Sequence, residues 1–438
     1  MKKLLYPVVV LMLLCFGCHK DKKIIPGGGG NADLQIQVVQ GNNQKDTIGN
    51  LLHDSIVVKI LSNGAPANNY TVQFKRSGCE DIQVTPKNTS INGQATFGWY
   101  LSGQVGAQLL NIVATDADGI NKDSVTVLAT GLQPGKGWHR SGCVQNFPVN
   151  DVTELGSGRL LCSLNGNNYP YYSDDNAQSW HPLKAFSNNY FIAKIVPGQQ
   201  DDIFLATLND GIFYSNDNGQ TWQNRSNGIN DPSGLSDIAF TKTGMLVCSN
   251  NSGVYTSPDK GQNWTENDYG LPIGQSSYPC QTTNGDLYIV GADNELYKLA
   301  NGATKWVNLG SSAGNVLLSN VESVFVDNND NIFIGTPHDG IGATGVIYRS
   351  SDGGATWAPV FSATSINNSY PNITQMSKTG STYYFSFSGR GIYQTNTFSN
   401  FINVTTRFAA YGSLSYTVAP NSSLVLGSPG YGVFYYLQ

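Results

Sequence analysis

The chain has 438 residues, 40% of them hydrophobic but only 13% charged, with a formal net charge of −5. Charged residues average about 25% in soluble domains, so long solvated helices are disfavoured and turn-rich β-structure is favoured. The acidic balance argues against a nucleic-acid partner, which needs a basic surface, and the length allows two or three domains with a sizeable core.

The first segment reads as an export signal. Lys2 and Lys3 precede an apolar run over 4–16, broken only by Pro7 and Cys15. That run is too short for a membrane-spanning helix, which needs about 20 residues, but it suits a signal peptide. Gly17-Cys18 closes it and resembles a bacterial lipobox, with Cys15 standing where Leu is usual. The resemblance implies lipidation of Cys18, a membrane anchor, and an outer-membrane lipoprotein of the cell envelope, periplasmic or surface-exposed. Residues 1–18 are the expected signal, and 19–33, with four consecutive glycines, a flexible tether.

Residues 34–131 alternate as β-strands, with Asn63-Gly64 and Asn92-Gly93 as turn signals. Seven short strands in this length suggest a sandwich. The run Gly64-Ala65-Pro66 before 70–74, and Asn92-Gly93-Gln94-Ala95-Thr96 before 106–114, resemble bacterial Ig-like domains of the invasin type. The resemblance implies a spacer or adhesion module. Asp46-Thr47-Ile48, Asp54-Ser55-Ile56 and Asp123-Ser124-Val125 resemble a bacterial O-glycosylation tripeptide, which makes Thr47, Ser55 and Ser124 candidate acceptors.

From 135 to 438 a repeat dominates. Trp138, Trp180, Trp222, Trp264 and Trp306 are spaced by 42 residues, and Trp357 follows after 51. A fixed period of this size signals a propeller of four-stranded blades. The residues before each Trp sharpen it. Ser215, Asp217, Gly219 and Trp222 fall in S-x-D-x-G-x-T-W, as do Ser350, Asp352, Gly354 and Trp357. Ser257, Asp259, Gly261 and Trp264 depart at one position, and Ser173, Asp175 and Trp180 belong to a copy that departs at two. These copies resemble the Asp-box, or BNR, repeat of sialidases, sortilin-like receptors and related propellers. The resemblance implies a turn between a blade's third and fourth strands, with a structural rather than catalytic role for the aspartates.

Seven second-strand candidates, from 159–164 to 423–428, predict seven blades. The last run, 432–436, reaches the C-terminus without a fourth strand, and the strand around Trp138 has no blade before it. The expectation is an all-β chain: a seven-bladed β-propeller closed by the Trp138 strand, preceded by the Ig-like sandwich. Such closure removes an open sheet edge.

The cysteines after the signal are Cys79, Cys143, Cys162, Cys248 and Cys280, without a CxxC pair, so no metal site is expected. Buried free thiols are the expectation, with a Cys143–Cys162 disulfide as the alternative. Asp327-x-Asn329-x-Asn331 lacks the glycine of a calcium loop and reads as a turn. No cofactor is expected.

Loops opposite the Asp-boxes carry the candidate ligand residues Tyr169, Tyr190, Tyr278, His338, Asp339, Arg390 and Tyr431. Tyr269 and Tyr370 lie in the same set of loops. Aromatic faces and amides suit a glycan or a peptide. His338 and Asp339, in the longest loop, are weak candidates for an acid/base pair. No Arg is followed by Ile-Pro among Arg140, Arg159, Arg225, Arg349, Arg390 and Arg407, which argues against the sialidase reaction. Asp231, Asp293, Glu295 and Asp339 are the loop-face acids from which a glycosidase pair would be drawn. The leading expectation is a monomeric binding or scaffold lipoprotein recognising a glycan or an envelope protein. The alternative is a non-sialidase glycoside hydrolase.

Overall fold

The computed structural model describes residues 33–76, 79, 86–144, 147–165, 169–186, 191–235, 237–310, 320–338, 344–362, 373–405 and 415–438. They are all-β apart from one three-residue helical turn, Gln199–Asp201. No helix among them is long and apolar enough to cross a membrane.

Two sheets form the N-terminal part. One holds Leu34–Gln40, Ile56–Ser62, Ala65–Pro66 and Gln94–Phe97; the other holds Gln44–Thr47, Lys122–Leu132, Gly106–Thr115, Thr71–Arg76 and Lys87–Asn88. Alternation drives their packing. Along Gly106–Thr115, Leu110, Ile112 and Ala114 point inward and are fully buried, while Leu109 and Asn111 face out. The inward set meets Ile56, Val58, Ile60, Phe97 and Trp99 from the other side in one core.

Residues 137–140 and 149–437 form seven four-stranded antiparallel sheets, counted here in chain order from the one that begins at Val149–Glu154. Their innermost strands are Val149–Glu154, Ile192–Pro197, Asp237–Phe240, Ser277–Gln281, Ser323–Val326, Ile373–Thr379 and Ser415–Val418. These strands pack side by side around a central channel, the arrangement of a β-propeller. The second strands are buried, fully in Ile203–Thr207 and Leu424–Ser428 and all but Thr382 and Tyr384 in Thr382–Phe387. Each lies inside its sheet and has a neighbouring sheet on either face, so both of its sides must be non-solvated.

The seventh sheet takes its outer strand from the other end of the domain. Gly137–Arg140 pairs antiparallel with Gly432–Leu437, and Trp138 sits opposite Tyr436. The Trp138 indole donates to the Val404 carbonyl of the sixth sheet at 2.9 Å. Trp264 and Trp306 donate in the same way to Arg225 and Asn267 of the preceding sheet, both at 2.7 Å.

The repeated turns are closed by a shared hydrogen-bond set. Asp217 accepts from the Ser215 hydroxyl at 2.7 Å, the Thr221 N–H at 2.9 Å and the Thr221 hydroxyl at 2.5 Å. The Gly219 N–H donates to the Ser215 hydroxyl at 2.9 Å, and Gly219 sits at φ +82°, where a side chain is disfavoured. Asp352 repeats this with Ser350, Gly354 and Thr356. Asp259 is held by Ser257 and Asn263, and Asp175 by Ser173 and Ser179.

Both cysteine expectations are corrected: Cys79 and Cys143 are not free thiols, and the alternative pairing is not the one formed. Cys143 is disulfide-bonded to Cys79, not to Cys162, and this pair joins the two parts of the chain. Cys162 is a free thiol inside the fully buried strand Leu160–Leu164. It lies in the same core cluster as Cys79 and Cys143 but is not bonded to either. Beside the disulfide, Arg140 donates to the Tyr100 hydroxyl at 3.3 Å and lies 5.5 Å from that ring. At Gly103 a Cβ would fall 2.2 Å from the Gln178 carbonyl oxygen, so this backbone approach requires glycine.

Candidate functional site

The first residues of the innermost strands surround one mouth of the channel, a cavity of about 520 Å³. Chain direction places that mouth on the side of the loops that enter these strands, opposite the Ser/Asp turns. Its polar wall includes Asp151, Lys194, Asp237, Gln275, Tyr278 and Gln375.

Four innermost strands are bulged here, between Val149 and Asp151, Ile192 and Lys194, Ser277 and Cys280, and Ile373 and Gln375. An extra residue breaks the ladder and re-aims a side chain. Asp151 and Gln375, at two of these bulges, and Asp237 and Glu322, on sheets whose innermost strands carry no bulge, reach across to the next sheet. Asp151 accepts the Ile195 N–H at 2.9 Å, Asp237 the Tyr278 N–H at 2.7 Å, Glu322 the Ile373 N–H at 3.1 Å and Gln375 the Tyr416 N–H at 3.1 Å. These side chains therefore act as latches between neighbouring sheets.

Lys194 lies 3.5 Å from Asp151. The Asp151 carboxylate, with help from Asp237, raises the Lys194 pKa against the opposing effect of burial. Burial raises the Asp237 pKa above the ordinary carboxylate value, although Lys194 and two backbone N–H groups pull it down. Burial likewise raises Glu322. Tyr278 holds φ +57°, uncommon for a side-chain-bearing residue, and among the described residues it is the one candidate loop-face tyrosine that lines the mouth.

The other candidates are dispersed. Tyr169 packs on Tyr171 at 5.4 Å. Tyr431 is exposed, and Arg390 lies in the turn between the second and third strands of the sixth sheet. His338 ends the strand Ile332–His338. Tyr190, Asp339 and Tyr370 lie outside the described residues. Asp231 is held by Ser233, Asp293 accepts from Tyr297 at 2.7 Å, and Glu295 accepts from the Asn308 amide. None of these three lines the channel mouth.

Asp151, Lys194 and Asp237 were not among the sequence candidates. Their only trace is a charged residue interrupting an apolar innermost strand, as in Ile192-Ala193-Lys194-Ile195. No group of three or more metal-ligating side chains occurs among the described residues.

Such a ring of four-stranded sheets defines the β-propeller class, and a family match places the chain within it. The chain belongs to the family of the DUF6242 beta propeller domain, whose model matches residues 150–404. No curated protein matches it by sequence. Among solved structures, it resembles YCF48 bound to D1 peptide, with 13% identity and a TM-score of 0.52 over 70% of this chain and 97% of that one. Streptogramin B lyase matches with 12% identity and a TM-score of 0.53, over 68% and 97%. PorZ, a surface component of the type-IX secretion system of Porphyromonas gingivalis, matches with 12% identity and a TM-score of 0.50, over 89% and 61%. At these identities the likeness is one of fold.

Proposed function

We propose that this chain is an envelope lipoprotein anchored through Cys18, with an Ig-like sandwich carrying a seven-bladed, Asp-box propeller whose loop face binds a glycan or a protein segment. The observation that carries the binding reading is the use made of the carboxylates at the mouth and of Glu322 beside it. Asp151, Asp237 and Glu322 each spend an oxygen on the backbone of the next sheet. A carboxylate that holds the ring together is poorly free to exchange protons with a substrate. The mouth nevertheless presents polar groups around a cavity of about 520 Å³, within the usual size range of ligand sites. YCF48, solved with a peptide, and PorZ, a secretion-system surface component, lend fold-level support to binding. The Cys79–Cys143 disulfide fits an oxidising compartment.

The test is binding and turnover by the full chain released from its lipid by Cys18→Ser. We expect retention of a glycan on an array, or of a protein from envelope extract, without cleavage. Gln275→Ala, at the exposed rim, weakens that retention. Hydrolysis of an oligosaccharide abolished by Asp237→Asn would sink the binding reading in favour of a glycoside hydrolase.

A further inference from the structure

A second groove, of about 760 Å³, opens on the opposite face, along the seam between the fifth and sixth sheets. Most cations on this face meet a carboxylate. Arg159 pairs with Asp174, Lys242 with Asp330, Lys260 with Asp202 and Lys298 with Asp286, at 2.7 to 3.1 Å. Arg349, in the wall of the groove, has no ion pair or side-chain hydrogen bond among the described residues. Its guanidinium stands over the Phe398 ring, 5.8 Å from the centroid.

The acid bonded to the groove residues Tyr383 and Lys378 is already committed. Asp327 is wholly buried, with one oxygen accepting the Asn329 and Asn331 N–H groups and the other accepting from Tyr383 at 2.6 Å and Lys378 at 3.3 Å. The sixth sheet also departs from the repeated turn. Thr397 stands where four other sheets have Asp175, Asp217, Asp259 and Asp352, and Phe398 takes a positive φ of 59° and carries its ring beneath Arg349. The groove therefore holds a planar, five-donor fork without an anionic partner.

Around it stand Asn328, Asn329 and Asn396, exposed at the groove, with no side-chain hydrogen bond among the described residues. A primary amide offers a donor and an acceptor together, the complement of a hydroxyl. A guanidinium fork flanked by several such amides matches a ligand with one anionic group and many hydroxyls better than a peptide carboxylate alone. We propose that this seam is a second ligand site that takes an acidic carbohydrate, with Arg349 binding its carboxylate or sulfate and the asparagines its hydroxyls.

The experiment measures binding of the full Cys18→Ser chain to oligogalacturonate, dextran sulfate, neutral dextran and poly-glutamate. We expect binding to one or both acidic polysaccharides and none to neutral dextran. The two acidic probes separate a uronate from a sulfate ligand. Arg349→Gln should weaken binding about tenfold or more, the worth of one charge-assisted contact. Arg349→Lys keeps the charge but loses the fork, and should fall between the two. The pair Asn328→Ala and Asn396→Ala should weaken saccharide binding several-fold. Unchanged affinity in folded Arg349→Gln, or no binding of either acidic polysaccharide, overturns the proposal. Poly-glutamate binding that equals the saccharides and ignores the asparagine variants also overturns it, in favour of an acidic peptide. If Arg349→Gln fails to fold, the Lys and Asn variants carry the test.

Discussion

Aspartates do the same chemistry at the two ends of this propeller, but over different ranges. In the Ser/Asp turns, Asp217 and Asp352 accept from groups within four residues of themselves. At the channel mouth, Asp151 and Asp237 accept from backbone 44 and 41 residues away, on the next sheet. The first kind shapes a hairpin. The second joins one sheet to its neighbour. A carboxylate is thus a local device or an assembly device according to which strand it faces, and its residue type does not say which.

Several substitutions sharpen that contrast. The longest covalent link, Cys79–Cys143, closes 64 residues. Replacing both cysteines by serine should cost about 2–4 kcal/mol, read from urea unfolding of the two chains side by side. Asp151→Ala removes a latch and leaves Lys194 without its partner. Because the Lys194 side chain is 37% exposed, the loss should be about 2–3 kcal/mol, below that of a fully buried pair. Asp217→Ala and Asp352→Ala should each cost only about 1 kcal/mol, the net worth of a local hydrogen-bond set. If the turn variants unfold the chain more readily than Asp151→Ala, the division into local and assembly roles is wrong.

Acid should separate the turn aspartates from Asp237 by sign. Hydrogen bonds from Thr221 and Thr356 lower the pKa of Asp217 and Asp352 to about 2. An unfolded aspartate titrates near 4. Their stabilisation is therefore complete above about pH 4 and is lost as the pH falls toward 2. Asp237 is raised by burial, so its ionisation opposes folding. Its contribution falls as the pH rises from the usual carboxylate value through the raised one, and acidification restores it. Asp237→Asn, which keeps an acceptor for the Tyr278 N–H, should change stability at neutral pH least of all and should remove this upper-pH dependence. Unfolding midpoints across pH 2–7 for the two variants check both signs.

How much was legible follows from the range of each interaction. The all-β class and the propeller could be read from Trp180, Trp222, Trp264 and Trp306 at constant spacing, because a repeat in sequence is a repeat in structure. The turns at Ser215–Asp217 and Ser350–Asp352 were equally readable, since every partner lies within one octapeptide. The latches were not. Asp151 looks like any polar residue in an innermost strand until a bulge turns it toward Ile195. Tyr278 stood out as a loop tyrosine, but its place at the channel mouth depends on the bulge between Ser277 and Cys280.

By itself, then, the amino-acid sequence determined the repeat, the strands and the geometry of the turns, all of which arise from side chains meeting their own near neighbours. Only the tertiary structure decided that Cys79 meets Cys143 and that Arg349 stands on Phe398 without a carboxylate partner among the described residues. Those meetings bring together residues 64 and 49 positions apart. At such separations no local pattern selects the partner, and the packing of whole sheets does.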